Sequence, residues 1–206
     1  MKTGKLIAIA AVLVLAVAAA FFMVQKYAPP PARGDNAVIR LGPTAEIGGS
    51  FDLVDHRGRA VSDRDFLGRY VLIYFGYSSC PDVCPLDLRR MATALDILGP
   101  EGKSVVPVFI TIDPERDSGK HLGAFVRAFH PRMVGLTGPE AAIKAVTNAY
   151  KVFYRKSGQG GGYLMDHTSF IYVIGPKGTV RSIIRAGTAP EIMAREIRHL
   201  LRSANR

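Results

Sequence analysis

Two cysteines stand four positions apart in Gly76-Tyr77-Ser78-Ser79-Cys80-Pro81-Asp82-Val83-Cys84-Pro85, and the 206-residue chain contains no others. Their thiolates are nucleophiles, redox partners and soft metal ligands. The segment follows the apolar, β-rich run Tyr70–Phe75 and precedes a helix that Pro85 can start. Open α/β sheets place their ligand sites at such strand ends. Backbone N–H groups at the helix start favour thiolate over thiol. The C-x3-C spacing is one residue wider than the usual C-x-x-C redox motif. That wider reach suits a metal between two thiolates better than a permanent disulfide. A plain structural disulfide is the alternative if both cysteines are exported, and the spacing allows both states in turn.

Two thiolates are too few ligands for most metals. The histidines are His56, His121, His130, His167 and His199. His56 sits in a turn, His121 and His199 fall on helices otherwise facing solvent, and His130 precedes Pro131 as a helix-end cap. His167 differs. It follows the glycine-rich stretch Ser157–Gly162, read as a mobile loop, and stands at the entry to a strand running from Thr168 to Ile174. A sheet that brings that strand's first end near the cysteine loop lets an imidazole there complete a Cys2His set. Soft thiolates select Cu(I), and an imidazole accommodates Cu(II) as well. Zinc normally wants four ligands at a structural site, and iron–sulfur clusters need more cysteine. Copper is the best single match.

The elements that must position these residues are legible as alternating strands and helices. Ser50–Val54 alternates apolar and polar residues before the turn Asp55-His56-Arg57-Gly58, which predicts an N-terminal hairpin. After the strand Tyr70–Phe75, a helix places Leu88, Met91, Leu95 and Leu98 on one face. Val105–Ile112 is the next buried strand, Lys120–Phe129 a second helix, and Met133–Leu136 a short strand. Pro139-Glu140 opens a third helix towards Tyr150. Thr168–Ile174 and Thr179–Ile184 flank the turn Gly175-Pro176-Lys177-Gly178. A last amphipathic helix uses Ile192, Met193, Ile197, Leu200 and Leu201. This order predicts an α/β, thioredoxin-like mixed sheet with flanking helices and an added N-terminal β-hairpin.

Apolar residues at 48% and charged residues at 21% describe a chain that builds a core. The net charge of 27 − 17 = +10 falls to 24 − 17 = +7 once Lys2, Lys5 and Lys26 are set aside. No basic cluster is interleaved with aromatics, so nucleic acid is not expected. An acidic protein partner or an anionic membrane surface fits the excess better. Leu6–Val24 is an uninterrupted apolar stretch of nineteen residues. As a helix it reaches about 28 Å, close to the thickness of a bilayer's hydrocarbon core. Lysines before it place the N-terminus in the cytoplasm. Its continuation past Ala18-Ala19-Ala20 favours a retained anchor over a cleaved signal peptide. Residues 1–26 are thus expected to be one transmembrane anchor, 27–43 a Pro-rich tether, and 44–206 the globular domain. The absence of an Arg- and Ser-rich transit segment points to a bacterial inner membrane, with that domain in the periplasm.

Tyr74–Pro85, the later Asp113-Pro114-Glu115-Arg116-Asp117 and Asp166-His167-Thr168-Ser169 resemble the SCO/SenC family in order and spacing over about residues 44–203. The resemblance implies a membrane-tethered, thioredoxin-like copper protein that helps assemble the Cu-A centre of cytochrome c oxidase. By position, Cys80, Cys84 and His167 take the family's copper-ligand roles. The implied partners are the copper-containing oxidase subunit and other copper chaperones. The glycine-rich loop before His167 is short and plain for the family. The expected role is that of a metallochaperone rather than an enzyme. The alternative is a thiol-disulfide oxidoreductase working through a Cys80–Cys84 disulfide, which needs no His167. Around the site, Asp82 solvates the helix start or tunes the cysteines. The Asp113–Asp117 run reads as a turn and helix-start network. Asp166 orients His167 or caps the turn, Met165 packs in the core, and Tyr77 and Tyr163 line the site.

Overall fold

The computed structural model describes residues 37–42, 44–158 and 160–203. Within them the chain runs β1 (Val38–Arg40), β2 (Asp52–Asp55), β3 (Ala60–Ser62), β4 (Tyr70–Gly76), α1 (Val83–Leu98), β5 (Val105–Thr111) and α2 (Gly119–Arg127). It continues with β6 (Val134–Thr137), α3 (Glu140–Ala149), β7 (Tyr154–Ser157), β8 (Leu164–His167), β9 (Phe170–Ile174), β10 (Val180–Arg185) and α4 (Pro190–Ser203). Eight strands form one mixed sheet in the order β1-β10-β9-β4-β5-β6-β2-β3. Strands β4, β5 and β6 are parallel, and β9 joins β4 antiparallel. This is the expected thioredoxin-like plan with its added hairpin, β2–β3, paired onto β6.

All seven residues of β4 are buried, because helices cover both faces of the sheet. Successive strand residues point to opposite faces. Tyr74 stacks on Phe109 of β5, which meets Phe125 of α2, whereas Phe75 meets Tyr150 at the end of α3. Leu88, Met91, Leu95 and Leu98 of α1 are all buried, as their spacing predicts. Across the sheet from α3, α1 packs beside α4, whose Met193, Ile197 and Leu200 are buried.

Two expectations need correction. The tether does not extend to Pro43, because Val38–Arg40 pairs antiparallel with β10. A long-range ion pair accompanies the backbone ladder. Arg40 Nη2 lies 2.6 Å from Glu196 Oε2 on α4, and the Ser182 hydroxyl donates to Glu196 Oε1 at 2.6 Å. Burial raises the pKa of Glu196, but these partners outweigh it and hold the carboxyl below its ordinary range. His167 does not stand at the entry to β9, because the glycine-rich stretch connects two strands of a separate hairpin. Tyr154–Ser157 and Leu164–His167 form a two-stranded sheet of their own, with Tyr154 opposite His167. Gly158 and Gly160 sit at φ of 95° and 72° in its turn, a conformation costly for residues with a side chain. His167 therefore ends β8 rather than opening β9. The apolar run Leu6–Val24 lies outside the described residues. Among the described residues no helix is long and apolar enough to cross a membrane.

Candidate metal centre

The cysteine loop begins where β4 ends. A Cβ on Gly76 would stand 2.9 Å from Cys84 Sγ and 2.9 Å from the Tyr74 ring. Only glycine lets α1 bring its sulfur so close to the strand. The Cys80 N–H then closes a turn by donating to the Tyr77 carbonyl. Asp82 stands at the N-cap of α1 without a side-chain cap bond, so it leaves the helix N–H groups to the sulfurs. Pro85 falls in the first turn, where its missing N–H costs nothing. Cys84 is fully buried and Cys80 half-buried, and both are free thiols.

The Cys84 N–H points at Cys80 Sγ, 3.5 Å away. A hydrogen bond from the Cys84 thiol is the main influence on Cys80. The His167 ring and the backbone N–H groups of Cys84 and Asp82 add to it, against the opposing effect of burial. Together they lower the Cys80 pKa to about 3. The same bond, seen from its donor, combines with burial to push the Cys84 thiol far up. The pair is one half-buried thiolate beside one buried thiol.

His167 reaches this pair from the β7–β8 hairpin. Its Nε2 lies 3.4 Å from Cys84 Sγ, and its Nδ1 lies 3.1 Å from the Thr168 carbonyl oxygen. A carbonyl oxygen only accepts, so Nδ1 carries a proton towards Thr168, and Nε2 is the ring nitrogen turned to the sulfurs. Tyr74 and Tyr77 flank the imidazole edge-on, with centroids 6.3 and 6.0 Å away. The Tyr74 hydroxyl is buried beside Cys84 and Ser169 without a well-formed hydrogen bond. Metal bonds of about 2.3 Å to sulfur and 2.0–2.1 Å to nitrogen, at a tetrahedral angle, separate two ligand atoms by roughly 3.5 Å. The Cys84–His167 separation matches that spacing. Among the described residues no three His, Cys, Asp or Glu side chains are already closed around one point. The half-buried Cys80 is the donor left to complete the set.

The remaining singled-out residues divide clearly. Asp166 does not hold His167; it pairs with Arg155 across the hairpin at 3.0 Å, and Thr168 supplies the orienting acceptor instead. Met165 is buried in the core, as expected. Tyr77 is buried against His167. Tyr163 stands one layer away, stacked on Arg116 with its hydroxyl donating to Asp113 at 2.8 Å. His56 accepts from the Gly135 N–H, His130 accepts from the Arg132 N–H, and His199 is exposed on α4. His121 is less idle than its helix suggested, since its Nε2 lies 2.8 Å from the Ser78 hydroxyl. The Tyr74 ring, the Thr168 carbonyl and Gly76 were missed as site elements. Only Gly76, ending an apolar strand run, carried a sequence signal.

The SCO1/SenC family model matches residues 40–202. Protein SenC of Rhodobacter capsulatus is 38% identical over 198 residues, 94% of this chain and 87% of that protein. The solved structure of Arabidopsis thaliana ScoI with copper bound superposes with a TM-score of 0.73 at 34% identity, covering 76% of this chain and 99% of that one. Bradyrhizobium japonicum ScoI with copper bound superposes at 0.70 with 37% identity, covering 75% and 99%.

Proposed function

Because the chain belongs to the SCO1/SenC family, we propose that it is a copper-binding assembly factor that delivers copper to, or prepares, the Cu-A site of cytochrome c oxidase. Copper is its cargo, held by Cys80, Cys84 and His167. The observation that carries this reading is the 3.4 Å approach of His167 Nε2 to Cys84 Sγ beside the Cys80 thiolate. Two soft sulfurs suit Cu(I), and the imidazole lone pair extends the set to Cu(II). Copper bound to relatives at 34% and 37% identity supports the choice of metal.

Each residue has a distinct part. Cys80 is already a thiolate and accessible, so it is the first contact for incoming metal or for a partner's thiol. Cys84 binds by losing its proton, and the Thr168 carbonyl keeps His167 in the metal-ready tautomer. A three-donor site open to solvent on the Cys80 side suits transfer better than permanent storage. Metal analysis of the purified protein, with and without reductant, tests this directly. One copper per chain, retained in both conditions, is expected; protein that never holds copper refutes it.

The split between a half-buried thiolate and a buried thiol also favours a second reading, thiol-disulfide exchange. Cys80 would attack a target disulfide and Cys84 would resolve the mixed disulfide. The target gains two electrons and two protons, one proton from Cys84 and one from solvent, while Cys80–Cys84 is oxidised. Only the copper reading requires His167, so His167→Ala separates the two.

We place the chain at a bacterial inner membrane, with residues 1–26 as the anchor and the tether ending where β1 begins. A C-terminal fusion to a reporter active only in the periplasm should be active and membrane-bound. Activity of a cytoplasm-only reporter at that position would reverse the topology, and soluble release would indicate cleavage.

A further inference from the structure

The two segments that carry the proposed copper ligands share no backbone ladder. The cysteine loop leaves the eight-stranded sheet, whereas β7–β8 is a sheet of its own. One short turn after β5, Asp113–Asp117, touches both.

On the cysteine side the contact is Asp117, which is fully buried. Its carboxylate accepts the Ser78 N–H at 2.9 Å, the Ser78 hydroxyl, and the Thr111 hydroxyl at 2.6 Å. Ser78 is two residues before Cys80, so this carboxylate fixes the loop's departure from β4. On the hairpin side the contacts are Asp113 and Arg116. Asp113 accepts the Tyr163 hydroxyl at 2.8 Å and pairs with Arg116. Arg116 Nη1 donates to the Tyr163 carbonyl at 2.9 Å, and its guanidinium lies 3.7 Å over the Tyr163 ring. The same guanidinium lies 5.6 Å from the Tyr77 ring, whose other neighbour is His167. Glu115 adds an exposed ion pair to Lys156 at 2.7 Å, which contributes little in water.

We infer that the Asp113–Asp117 turn is a clamp, with Arg116 its chief positioning residue, holding the His167 hairpin against the cysteine loop. Its consequence for copper rests on the three-ligand reading above; its mechanical part does not. Arginine is suited to the task because its planar fork stacks on an aromatic ring while donating hydrogen bonds in its own plane. Lysine has a flexible point charge and cannot do both.

Amide hydrogen exchange on the metal-free full chain tests the clamp. Arg116→Ala should speed exchange at residues 154–157 and 164–167 by about tenfold or more, leaving β4 and β5 protected. Arg116→Lys should not restore protection. Tyr163→Ala, at a partly exposed position, should loosen the same amides from the hairpin side. Unchanged hairpin protection in both alanine variants overturns the clamp. Electron paramagnetic resonance of the Cu(II) forms then reads the positioning role. Arg116→Ala should weaken or divide the imidazole-coupled signal, and a wild-type signal over a loosened hairpin would overturn that role. A wild-type signal in His167→Ala would instead refute the copper reading, while hydrogen exchange still decides the clamp.

Discussion

Cys80 and Cys84 hang from a segment in which every residue from Tyr70 to Gly76 is buried, whereas His167 ends a hairpin whose first strand is mostly exposed. The first region is held by apolar burial on both faces of a parallel sheet. The second is held by polar and stacking contacts, by Met165 in the core, and by its own two-stranded ladder. Stability and adjustability are thereby separated within one site. The sulfurs adjoin the most buried strand, where opening costs most, and the imidazole ends a more exposed hairpin, where local opening costs less. Under the proposed copper-transfer role, the release point belongs on the looser side.

Removing a sulfur should break the site outright. Cys80→Ser or Cys84→Ser replaces one of two soft donors with a neutral hydroxyl and should weaken Cu(I) binding by at least about a thousandfold, measured by competition with a chromogenic chelator. Removing the imidazole should do less and should discriminate between oxidation states. His167→Ala should weaken Cu(II) binding by about a hundredfold and Cu(I) binding by no more than about tenfold. It should impair oxidase assembly in cells while thiol-disulfide exchange continues. If His167→Ala supports oxidase assembly fully and Cys80→Ser does not, the reductase reading replaces the copper one.

The electrostatic asymmetry within the cysteine region predicts its pH behaviour. With Cys80 held at about 3, its alkylation rate should be flat from about pH 5 to 9, where an ordinary thiol slows roughly tenfold per unit below its pKa. A rate that falls steadily below pH 8 would contradict the asymmetry. The folded value lies below the unfolded one, so the thiolate's contribution is fully present above about pH 9 and declines as the pH falls toward 3. The advantage of the parent chain over Cys80→Ser should narrow in acid. Smallest of all are the histidines outside the site. His56→Ala, His121→Ala and His199→Ala should leave copper stoichiometry intact and affinity within about fivefold, since each loses at most a modest hydrogen bond. A loss at His121 equal to that at His167 would move the third ligand.

The same division explains what was legible in the sequence. The runs Tyr70–Phe75 and Val105–Ile112 and the α1 face at Leu88, Met91, Leu95 and Leu98 follow hydrophobic period, and they fold as their pattern predicts. Cys80, Cys84 and His167 stood out by residue type and spacing, and the fold brings them together. What escaped was built from contacts distant in the chain. Strand β1 pairs with β10, about 145 residues on, and Arg40 meets Glu196, 156 residues away, so three residues after a Pro-rich stretch could not announce it. The strand Tyr154-Arg155-Lys156-Ser157 has no apolar alternation and adjoins a run of glycines that reads as a loop. Asp166 looked like the natural partner of His167, but neighbouring residues on a strand face opposite ways, and Arg155 takes it. The Thr168 carbonyl carries no residue-type signal.

X-ray absorption at the copper edge, on the Cu(I)-loaded protein and its His167→Ala variant, bears most directly on the claim that both regions bind one ion. The account predicts two sulfur scatterers and one imidazole nitrogen in the parent chain, and two sulfurs without the imidazole pattern in the variant. An imidazole pattern that survives in His167→Ala, or is missing from the parent chain, would contradict it.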